Sequence, residues 1–405
     1  MNVLLANKFF WLKGGSESVF FNEKGMLENS GHNVIPFSMK YPNNEDSQYS
    51  SYFVSEVDYS KPGIINKISS AFKIIYSIEA RNKMASLLQD YNIDIAHFHI
   101  FQHQISPSVF GPLRDRNIPI ILTLHDLKPI CPNYKMYTNG HICEECKAKK
   151  FYNCFKNRCT KGSALGSMIN TIELYFHYFM GYYQNVDKYI AVSKFYRDKM
   201  IDFGFPEDNI IYLPNYIDTS QYNFPVTDDR YILYFGRLSE EKGLKTLIQA
   251  ASLLPDVNFS IVGSGPLDDE IRSFAIKNKL SNVTFHGYKT GDELKRIVSA
   301  CTCVVVPSEW YENCPMTILE SFASSKPVIG SDIGGIPELI DQGVDGYIYE
   351  PANSELLSEV ILSIWNNPDN AREMGVSGKN KIKKSFNYDS HYNALISIYN
   401  TLSGK

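Results

Sequence analysis

The fold is decided by residues 231–244, which read Tyr-Ile-Leu-Tyr-Phe-Gly-Arg-Leu-Ser-Glu-Glu-Lys-Gly-Leu. The first five residues are apolar or aromatic, as is typical of a buried strand. Gly236 follows them and permits a tight turn, and Gly243 leads into a helical pattern over residues 244–252. A strand, a glycine turn and a helix in this order indicate one unit of a parallel α/β sheet.

Short apolar runs alternate with helical patterns along the whole chain. The predicted strands of the first half are residues 3–6, 33–37, 94–99, 119–124, 189–192 and 210–213, and those of the second half are residues 231–235, 258–262, 283–286, 302–306, 327–330 and 346–349. The 405 residues exceed what one ordinary core organises. We therefore predict an α/β protein with two Rossmann-like domains, each built on a parallel sheet.

The boundary between these domains is predicted in a Pro-, Asn- and Asp-rich passage over residues 213–229. We place the first domain at residues 1–215 and the second at residues 216–386. Residues 387–402 carry apolar side chains at helical spacing, which predicts a terminal amphipathic helix.

The composition is that of an ordinary folded protein. With 44% hydrophobic and 21% charged residues, the chain is neither disordered, collagen-like nor a coiled coil. Residues 1–8 lack the basic lead of a secretory signal, and no run approaches 18 apolar residues. We therefore expect a cytoplasmic protein whose eight cysteines are mostly reduced, and with a net charge of −4 we expect no nucleic-acid partner.

Two glycine turns follow predicted strands and could bring backbone close to a phosphate. Gly14 and Gly15 open a helix after the first strand, where amide groups could face an anion. Gly263 and Gly265 end another strand in the second half. The alternative for such glycines is that they merely permit a tight bend.

Arg237 and Lys242 supply two cations at one turn. A planar guanidinium and a compact ammonium together suit a diphosphate better than a neutral ligand. The alternative is a solvated loop in which Glu240 and Glu241 pair with these cations.

Two glutamates stand eight positions apart in the segment Pro307-Ser-Glu-Trp-Tyr-Glu-Asn-Cys-Pro-Met-Thr-Ile-Leu-Glu320. If a helix begins near Pro315, Glu320 lies about one turn inside it and Glu312 lies in the loop before it. Carboxylates can accept hydrogen bonds from the adjacent hydroxyls of a ribose or a hexose. The alternative is a helix-start glutamate stabilised by the helix dipole, with a second glutamate facing solvent.

Taken in order, these features resemble the retaining glycosyltransferases of family 4, which have the two-domain fold called GT-B. The resemblance covers nearly the whole chain. Its motifs are Gly14-Gly15-Ser16-Glu17, Thr123-Leu-His125-Asp126, Pro214-Asn215, the Gly-Arg-x-x-x-x-Lys-Gly turn at 236–243, Gly263-Ser-Gly265-Pro266 and the Glu-x-seven-Glu segment at 312–320. It also implies that the terminal helix, residues 387–405, crosses back onto the first domain, and that a ligand cleft lies between the domains.

The resemblance implies a role for each site residue. The diphosphate of the donor would be held by Arg237, Lys242 and the backbone near Gly14 and Gly15, and the ribose by Glu320. Glu312 and His125 would contact the transferred sugar. The remaining donor contacts would come from Gly236, Gly263, Gly265, Tyr288, Asn313, Cys314, Pro315 and Met316. Many family members have glycine where this chain has Pro315.

The chemistry points to the cations as the leading catalytic residues. Breaking the anomeric C–O bond places negative charge on the departing diphosphate, and a preorganised donor there is worth about 2.7–4 kcal/mol of barrier. Arg237 and Lys242 are therefore predicted to drive the step, with His125 and Glu312 beside them. No Asp-x-Asp metal motif is present. We predict no cofactor for catalysis and activity that survives chelation.

Five cysteines lie close together in an insertion at about residues 131–162 of the first domain. They are Cys131, Cys143, Cys146, Cys154 and Cys159. Four thiolates could hold a structural zinc ion. Reduced thiols, or a disulfide formed after purification, are the alternatives. His97 and His99 share one face of a strand, where they could form a metal pair or pack at an edge.

The insertion is also rich in lysine and arginine, and aromatic residues follow it at 165–183. This combination could contact a lipid-linked acceptor or the inner face of the plasma membrane, although a helix of this kind is more often part of a core.

The resulting hypothesis is a retaining hexosyltransferase that uses a UDP or GDP sugar and a glycan or lipid-linked acceptor, as in bacterial surface polysaccharide synthesis, lipopolysaccharide or capsule. The alternatives are a nucleotide-sugar epimerase or phosphorylase of the same fold, and a zinc-stabilised binding module without turnover.

Overall fold

The computed structural model of the chain describes residues 1–57 and 72–404. The chain divides into two compact units. Unit 1 contains Met1–Thr138, Cys143–Leu213 and Tyr392–Lys405, and unit 2 contains Asn139–Ile142 and Pro214–His391. Residues 58–71 and Lys405, which fall inside the ranges predicted for the first domain, lie outside the described residues.

Unit 1 is built on a six-stranded parallel sheet with the order β2-β1-β3-β4-β7-β8. Its strands are β1 (Asn2–Ala6), β2 (Asn33–Phe37), β3 (Ile95–Phe98), β4 (Ile120–Leu124), β7 (Lys188–Ala191) and β8 (Ile210–Tyr212). The chain also contains the short β5 (Tyr137–Thr138), at the end of a unit 1 segment, and the short β6 (His141–Ile142), in the unit 2 segment Asn139–Ile142. This short pair lies in the cysteine-rich insertion and was not predicted from the sequence.

Unit 2 is built on a second six-stranded parallel sheet with the order β11-β10-β9-β12-β13-β14. Its strands are β9 (Ile232–Phe235), β10 (Phe259–Val262), β11 (Val283–Gly287), β12 (Cys303–Val306), β13 (Val328–Ser331) and β14 (Gly346–Tyr349). Numbered within the unit this order is 3-2-1-4-5-6, which is the Rossmann order.

Helices connect the strands in both units. Those of the first half are α1 (Gly15–Asn29), α2 (Ile78–Asp90), α3 (Phe110–Arg114), α4 (Tyr152–Lys156), α5 (Ala164–Phe179) and α6 (Lys194–Asp202). Those of the second half are α7 (Leu244–Leu253), α8 (Asp268–Lys277), α9 (Gly291–Ala300), α10 (Met316–Ala323), α11 (Ser354–Trp365), α12 (Pro368–Ser385) and α13 (Tyr388–Ser403). No described helix is both long enough and apolar enough to span a bilayer.

The sequence-based prediction of two Rossmann-like sheets is confirmed. Each of the twelve predicted sheet strands coincides with an observed strand to within one residue at either end. The reason is burial on both faces: β3, β4, β9, β10, β12 and β13 are buried at every residue, so their sequences are mostly apolar, with at most one polar residue each. The terminal helix α13 was also predicted, and its residues from Tyr392 onward belong to unit 1.

Glycines let the turns of unit 2 approach one another at backbone distance. A Cβ on Gly243 would lie 1.7 Å from the Pro307 carbonyl oxygen, and one on Gly263 would lie 1.8 Å from that of Gly236. Gly265 would meet the Leu238 carbonyl oxygen at 2.2 Å. The turn after β9 is therefore packed directly on the turns that follow β10 and β12.

We expect Gly243→Ala to destabilise unit 2 more than Gly343→Ala. Both glycines have a left-handed backbone, with φ of 68° and 74°, which costs an L-residue about 1–2 kcal/mol. Only Gly243 would also force a Cβ onto backbone, because Gly343 has open space around it. Urea unfolding followed by circular dichroism measures the difference, and equal losses of stability would contradict the packing described above.

Candidate functional site

The strand order of unit 2 reverses between β9 and β12, and the predicted donor-site residues follow these two strands. In open α/β sheets, ligands bind at the carboxyl ends of the strands on either side of such a reversal. Arg237 and Lys242 lie in the turn after β9, and Glu312 lies in the loop after β12. Glu320 lies on α10, which follows that loop, as the sequence predicted.

Lys242 and Glu312 form an ion pair at this position. Lys242 Nζ donates to Glu312 Oε1 over 2.6 Å, and the two side chains are 26% and 7% exposed. The ammonium group also lies 5.2 Å from the centroid of the Trp310 ring. The sequence left open whether Lys242 pairs with a neighbouring glutamate in its own turn. The structure instead pairs it with a residue 70 positions away.

A serine pair that sequence reasoning missed holds Glu312 in place. Ser308 Oγ donates to Glu312 Oε1 over 2.6 Å, and Ser331 Oγ donates to the Ser308 carbonyl oxygen over 2.6 Å. The backbone of Glu312 is fixed as well, since its carbonyl oxygen accepts from Gly335 N over 2.8 Å. Serines are too common in loops to indicate such contacts in advance.

Arg237 and Glu320 present charged groups of different character. The Arg237 side chain is exposed, while the Tyr234 hydroxyl donates to the Arg237 carbonyl oxygen over 2.7 Å and fixes the backbone of the turn. Glu320 is half-buried. Burial raises the pKa of Glu320 to about 7, although the positive charge of Lys295 acts in the opposite direction. Near neutral pH this carboxyl group is therefore poised between its two protonation states.

A hydrogen bond from Asn215 anchors the loop between Glu312 and α10. Asn215 Nδ2 donates to the Cys314 carbonyl oxygen over 3.2 Å, and burial raises the pKa of the Cys314 thiol to about 12, so that it stays neutral. Pro315 occupies the N-cap position of α10, and no side chain caps this helix. The amides of Met316 and its first-turn neighbours therefore lack side-chain partners. Tyr288, predicted as a further donor contact, is 63% exposed.

In unit 1 the strand order reverses between β1 and β3. Gly14 and Gly15 follow β1 and are exposed at the start of α1, where Gly14 is the N-cap and no side chain caps the helix. The first-turn amides are thus open to an anion. Gly14 has an extended backbone, with φ of −170°, so a left-handed conformation is not the reason for a glycine here.

A buried network of histidines follows β3 and β4. His99 Nδ1 lies 2.8 Å from His125 Nε2, and His99 Nε2 lies 3.2 Å from Glu23 Oε2. His97 uses both ring nitrogens, at 2.7 Å from Tyr399 Oη and at 2.7 Å from Thr123 Oγ1. Burial, and then the neighbouring His99, lower the pKa of His125 well below its usual range, which keeps its imidazole neutral.

This network bears on the metal alternative for the histidine pair. Among the described residues, Glu23, His97 and His99 are the one group whose ligand atoms all lie within 4.8 Å of one another. Since both nitrogens of His97 already have hydrogen-bond partners, the structure favours a hydrogen-bonded network over a metal site. Glu23 was not identified in the sequence because it lies far from the histidines along the chain.

A second buried charge cluster lies under α5. Lys128 Nζ donates to Glu173 Oε2 over 2.6 Å and to the Pro132 carbonyl oxygen over 2.8 Å, with both side chains almost fully buried. His103 Nε2 lies 3.3 Å from the same carboxylate oxygen. Although burial opposes ionisation, Lys128 and His103 hold the pKa of Glu173 well below its usual range.

The five cysteines of the insertion line one small cavity together with Asn133, Met136, Tyr137, Thr138 and Asn153. All five are free thiols. A hydrogen bond from Cys154 lowers the pKa of Cys159 to about 7, while burial raises the pKa of Cys131 to about 11. The structure thus brings the predicted cysteines to one cavity, although no three of their sulfur atoms form a group within 4.8 Å among the described residues, and the zinc ion itself stays a prediction.

Two family models match the chain. The model described as Glycosyltransferase Family 4 matches residues 13–221, and the model described as Glycosyl transferases group 1 matches residues 218–381. Together they cover most of both units.

Curated relatives match over about half of this chain. An uncharacterized glycosyltransferase of Methanocaldococcus jannaschii, MJ1178, is 32% identical over 219 residues, which are 54% of this chain and 61% of the relative. The O-antigen chain mannosyltransferase C of Escherichia coli is 31% identical over 223 residues, 53% of this chain and 58% of the relative. The matches thus span about six tenths of the length of these relatives.

A solved structure is similar over the full length. The crystal structure of Anabaena HepE with UDP-glucose superposes with a TM-score of 0.67 at 16% identity and covers 99% of this chain and 100% of HepE. At this identity the likeness concerns the fold alone, and it confirms the predicted GT-B fold.

We expect protein purified without chelators to contain about one zinc ion per chain, bound by thiolates of the insertion. Cys146→Ser should lower the zinc content and the melting temperature together, because it removes one thiol from the cavity. Elemental analysis and thermal unfolding measure both. Cys301→Ala, at a buried cysteine of unit 2, is the matched control and should keep its zinc. Zinc-free protein of unchanged stability would contradict the prediction.

Proposed function

We propose that this chain, which belongs to Glycosyltransferase Family 4, transfers a hexose-type sugar from a nucleoside-diphosphate donor to a glycan or lipid-linked acceptor with retention of configuration. The observation that carries the proposal is the Lys242–Glu312 ion pair, held at the strand-order reversal of unit 2. A cation beside a carboxylate at this position suits a ligand that carries both phosphate charge and sugar hydroxyls.

The proposed chemistry separates charge between the sugar and the leaving group. The anomeric C–O bond of the donor breaks, and the acceptor hydroxyl oxygen forms the new bond to that carbon while its proton passes to an oxygen of the departing diphosphate. Negative charge then develops on the diphosphate, where Arg237 and Lys242 stabilise it in a preformed arrangement. Because Glu312 and Trp310 hold the Lys242 ammonium in place, little reorganisation is needed when the charge appears.

The remaining contacts are assigned by chemistry. The Glu320 carboxylate is proposed to accept hydrogen bonds from both ribose hydroxyls, and Glu312 is proposed to accept hydrogen bonds from hydroxyls of the transferred sugar. The uncapped amides at Met316 suit phosphate oxygens. His125, kept neutral by burial, is assigned to the sugar as a hydrogen-bonding group.

The relatives support the donor class and the biological setting. HepE was solved with UDP-glucose, and the Escherichia coli relative is an O-antigen chain mannosyltransferase. We therefore propose a UDP or GDP sugar as donor and bacterial surface polysaccharide as the product class. We also propose that protein cations take the place of a divalent metal ion, so that transfer continues without added Mg²⁺.

Three other functions would each give a different experimental result. An epimerase would convert the donor without an acceptor, and a phosphorylase would show the absorbance of a Schiff-base cofactor. A zinc-stabilised binding module would bind the donor without turnover.

Lys242→Ala should lower the turnover number for sugar transfer by about 10²–10³, because it removes one preorganised donor to the leaving group. Lys245→Ala is the matched control, since Lys245 lies within one helical turn but is 51% exposed and pairs with Glu270. Transfer to an acceptor extract is measured with radiolabelled nucleotide sugars in the presence of EDTA, and thermal unfolding confirms that both variants are folded. Equal activity in the two variants would contradict the proposed role.

The affinity of the protein for its nucleotide sugar, UDP-glucose or a GDP sugar, should increase as the pH rises through about 7. The pKa of Glu320 is raised to about 7 by burial, so in the free protein this carboxyl group is mostly protonated below that pH and ionised above it. Ribose hydroxyls stabilise the carboxylate, and binding therefore releases a proton near neutrality. Titration calorimetry in buffers of different ionisation enthalpy measures this release.

Glu320→Gln is the control for this pH dependence. It should bind the donor more weakly at high pH and should show no proton release near pH 7, because the amide does not titrate. Since a nucleoside-diphosphate sugar has no phosphate group that titrates in this range, an unchanged release in Glu320→Gln would refute the assignment.

A further inference from the structure

Helix α5 buries mainly polar residues and exposes apolar ones, which is the reverse of an ordinary surface helix. Its buried residues are Ser167, Asn170, Thr171, Glu173, Leu174 and His177, of which five are polar. Its exposed residues include Leu165, Met168, Ile172, Tyr175 and Phe179, which are 50%, 39%, 48%, 40% and 86% exposed. Their spacing of three and four residues forms one apolar stripe, roughly 21 Å long.

The polar side of α5 is held inside unit 1 by specific hydrogen bonds. Lys128 Nζ donates to Glu173, Asn170 Nδ2 donates to Thr160 Oγ1 over 2.9 Å, and His177 Nε2 lies 2.8 Å from the Ile75 carbonyl oxygen. Rotating the helix about its axis to bury the apolar stripe would break all of these contacts. It would also leave the Lys128 and Glu173 charges without their partners. The outward direction of the stripe is therefore fixed by the fold.

Helix α4 extends the same apolar surface. Tyr152 and Phe155 are 54% and 47% exposed. Tyr152 N donates to Tyr175 Oη over 3.3 Å, which places the start of α4 beside the middle of α5. We call the exposed apolar side chains of α4 and α5 the α4–α5 face. A contiguous exposed apolar surface of this kind marks an interaction site in a folded protein.

The stretch of chain that carries this face is rich in positive charge. Residues 147–183 contain six lysines and arginines and a single acidic residue, the buried Glu173. Lys149, Lys150, Lys156, Arg158 and Lys161 are all exposed. Lys149 Nζ also lies 5.0 Å from the centroid of the Tyr178 ring, at the flank of α5. Apolar side chains bordered by cations match the interface of a bilayer that carries anionic headgroups.

We propose that the α4–α5 face docks on an anionic lipid bilayer, with its apolar side chains among the headgroups and its cations on lipid phosphates. The helix lies along the surface and does not cross it. A second copy of the chain fits less well, because a twofold contact would bring the same cations of both copies together. The inference rests on this face and holds whichever sugar is transferred.

The test is binding of the purified protein to vesicles of phosphatidylcholine, alone and mixed with phosphatidylglycerol. Binding is expected only with the anionic lipid. The variant Met168→Ser, Ile172→Ser, Phe179→Ser should lower the partition coefficient about tenfold or more. The control Leu253→Ser, Ile276→Ser, Val376→Ser changes three side chains of unit 2 that are 52%, 79% and 50% exposed and should bind as the unaltered protein does.

A second set of variants tests the electrostatic part of the proposed lipid binding. Lys150→Gln, Lys156→Gln and Lys161→Gln together should weaken binding by roughly fivefold per cation, whereas Lys40→Gln, Lys277→Gln and Lys279→Gln should not. Ile172→Trp adds a reporter whose emission should shift to the blue on anionic vesicles and should be quenched by brominated acyl chains. All of these positions are exposed or on the α5 stripe, and thermal unfolding checks that each variant is folded.

Several outcomes would overturn the proposal. One is binding to neutral vesicles as strong as to anionic ones, and another is binding that the serine variant of α5 leaves unchanged. A third is a concentration-dependent dimer in analytical ultracentrifugation that the same variant abolishes, since the face would then join two copies. Absence of vesicle binding by the unaltered protein, with no blue shift in Ile172→Trp, would also refute it.

Discussion

Backbone contact at a few glycines holds the turns of unit 2 together, and the geometry of the candidate site depends on it. Gly243 meets the loop after β12, Gly263 and Gly265 meet the turn after β9, and a Cβ on Gly334 would lie 2.4 Å from the Glu312 carbonyl oxygen. Because no side chain separates these segments, a cation from one turn and a carboxylate from another reach hydrogen-bonding distance. The Lys242–Glu312 pair is thus a consequence of main-chain packing, and its short contact is fixed before any ligand arrives.

The sequence was informative wherever one residue type has one physical reason to be present. Strands buried on both faces read as apolar runs, so both sheets and their boundaries were predictable. The turn after β9 was predictable because glycines and cations occur there together. Contacts between distant segments were not predictable, since the contact of Ser331 with Ser308, or of Glu23 with His99, leaves no local pattern in the sequence. The short β5 and β6 pair was missed because two-residue strands carry too little periodicity to detect.

The histidine network sets the orientation and the protonation state of His125, which the sequence identified only by resemblance. His125 contacts His99, and His99 lies near Glu23, so the orientation of the first imidazole is set by residues of α1 and β3. Tyr399 of the terminal helix contacts His97 within the same network. A residue near the end of the chain therefore takes part in the surroundings of a group near residue 125, and changes in α13 reach these histidines without touching a ligand.

The reversed helix α5 also sets a condition on how unit 1 folds. Non-specific collapse would turn the stripe of Leu165, Ile172 and Phe179 inward. The native orientation of α5 therefore competes with an orientation that buries more apolar surface. The competition is decided by polar contacts whose partners, such as Lys128 and Ile75, lie far from α5 along the chain. Such local conflict is tolerated where function requires it. The native orientation of α5 therefore depends on the buried Lys128–Glu173 pair and the neighbouring polar contacts rather than on apolar packing.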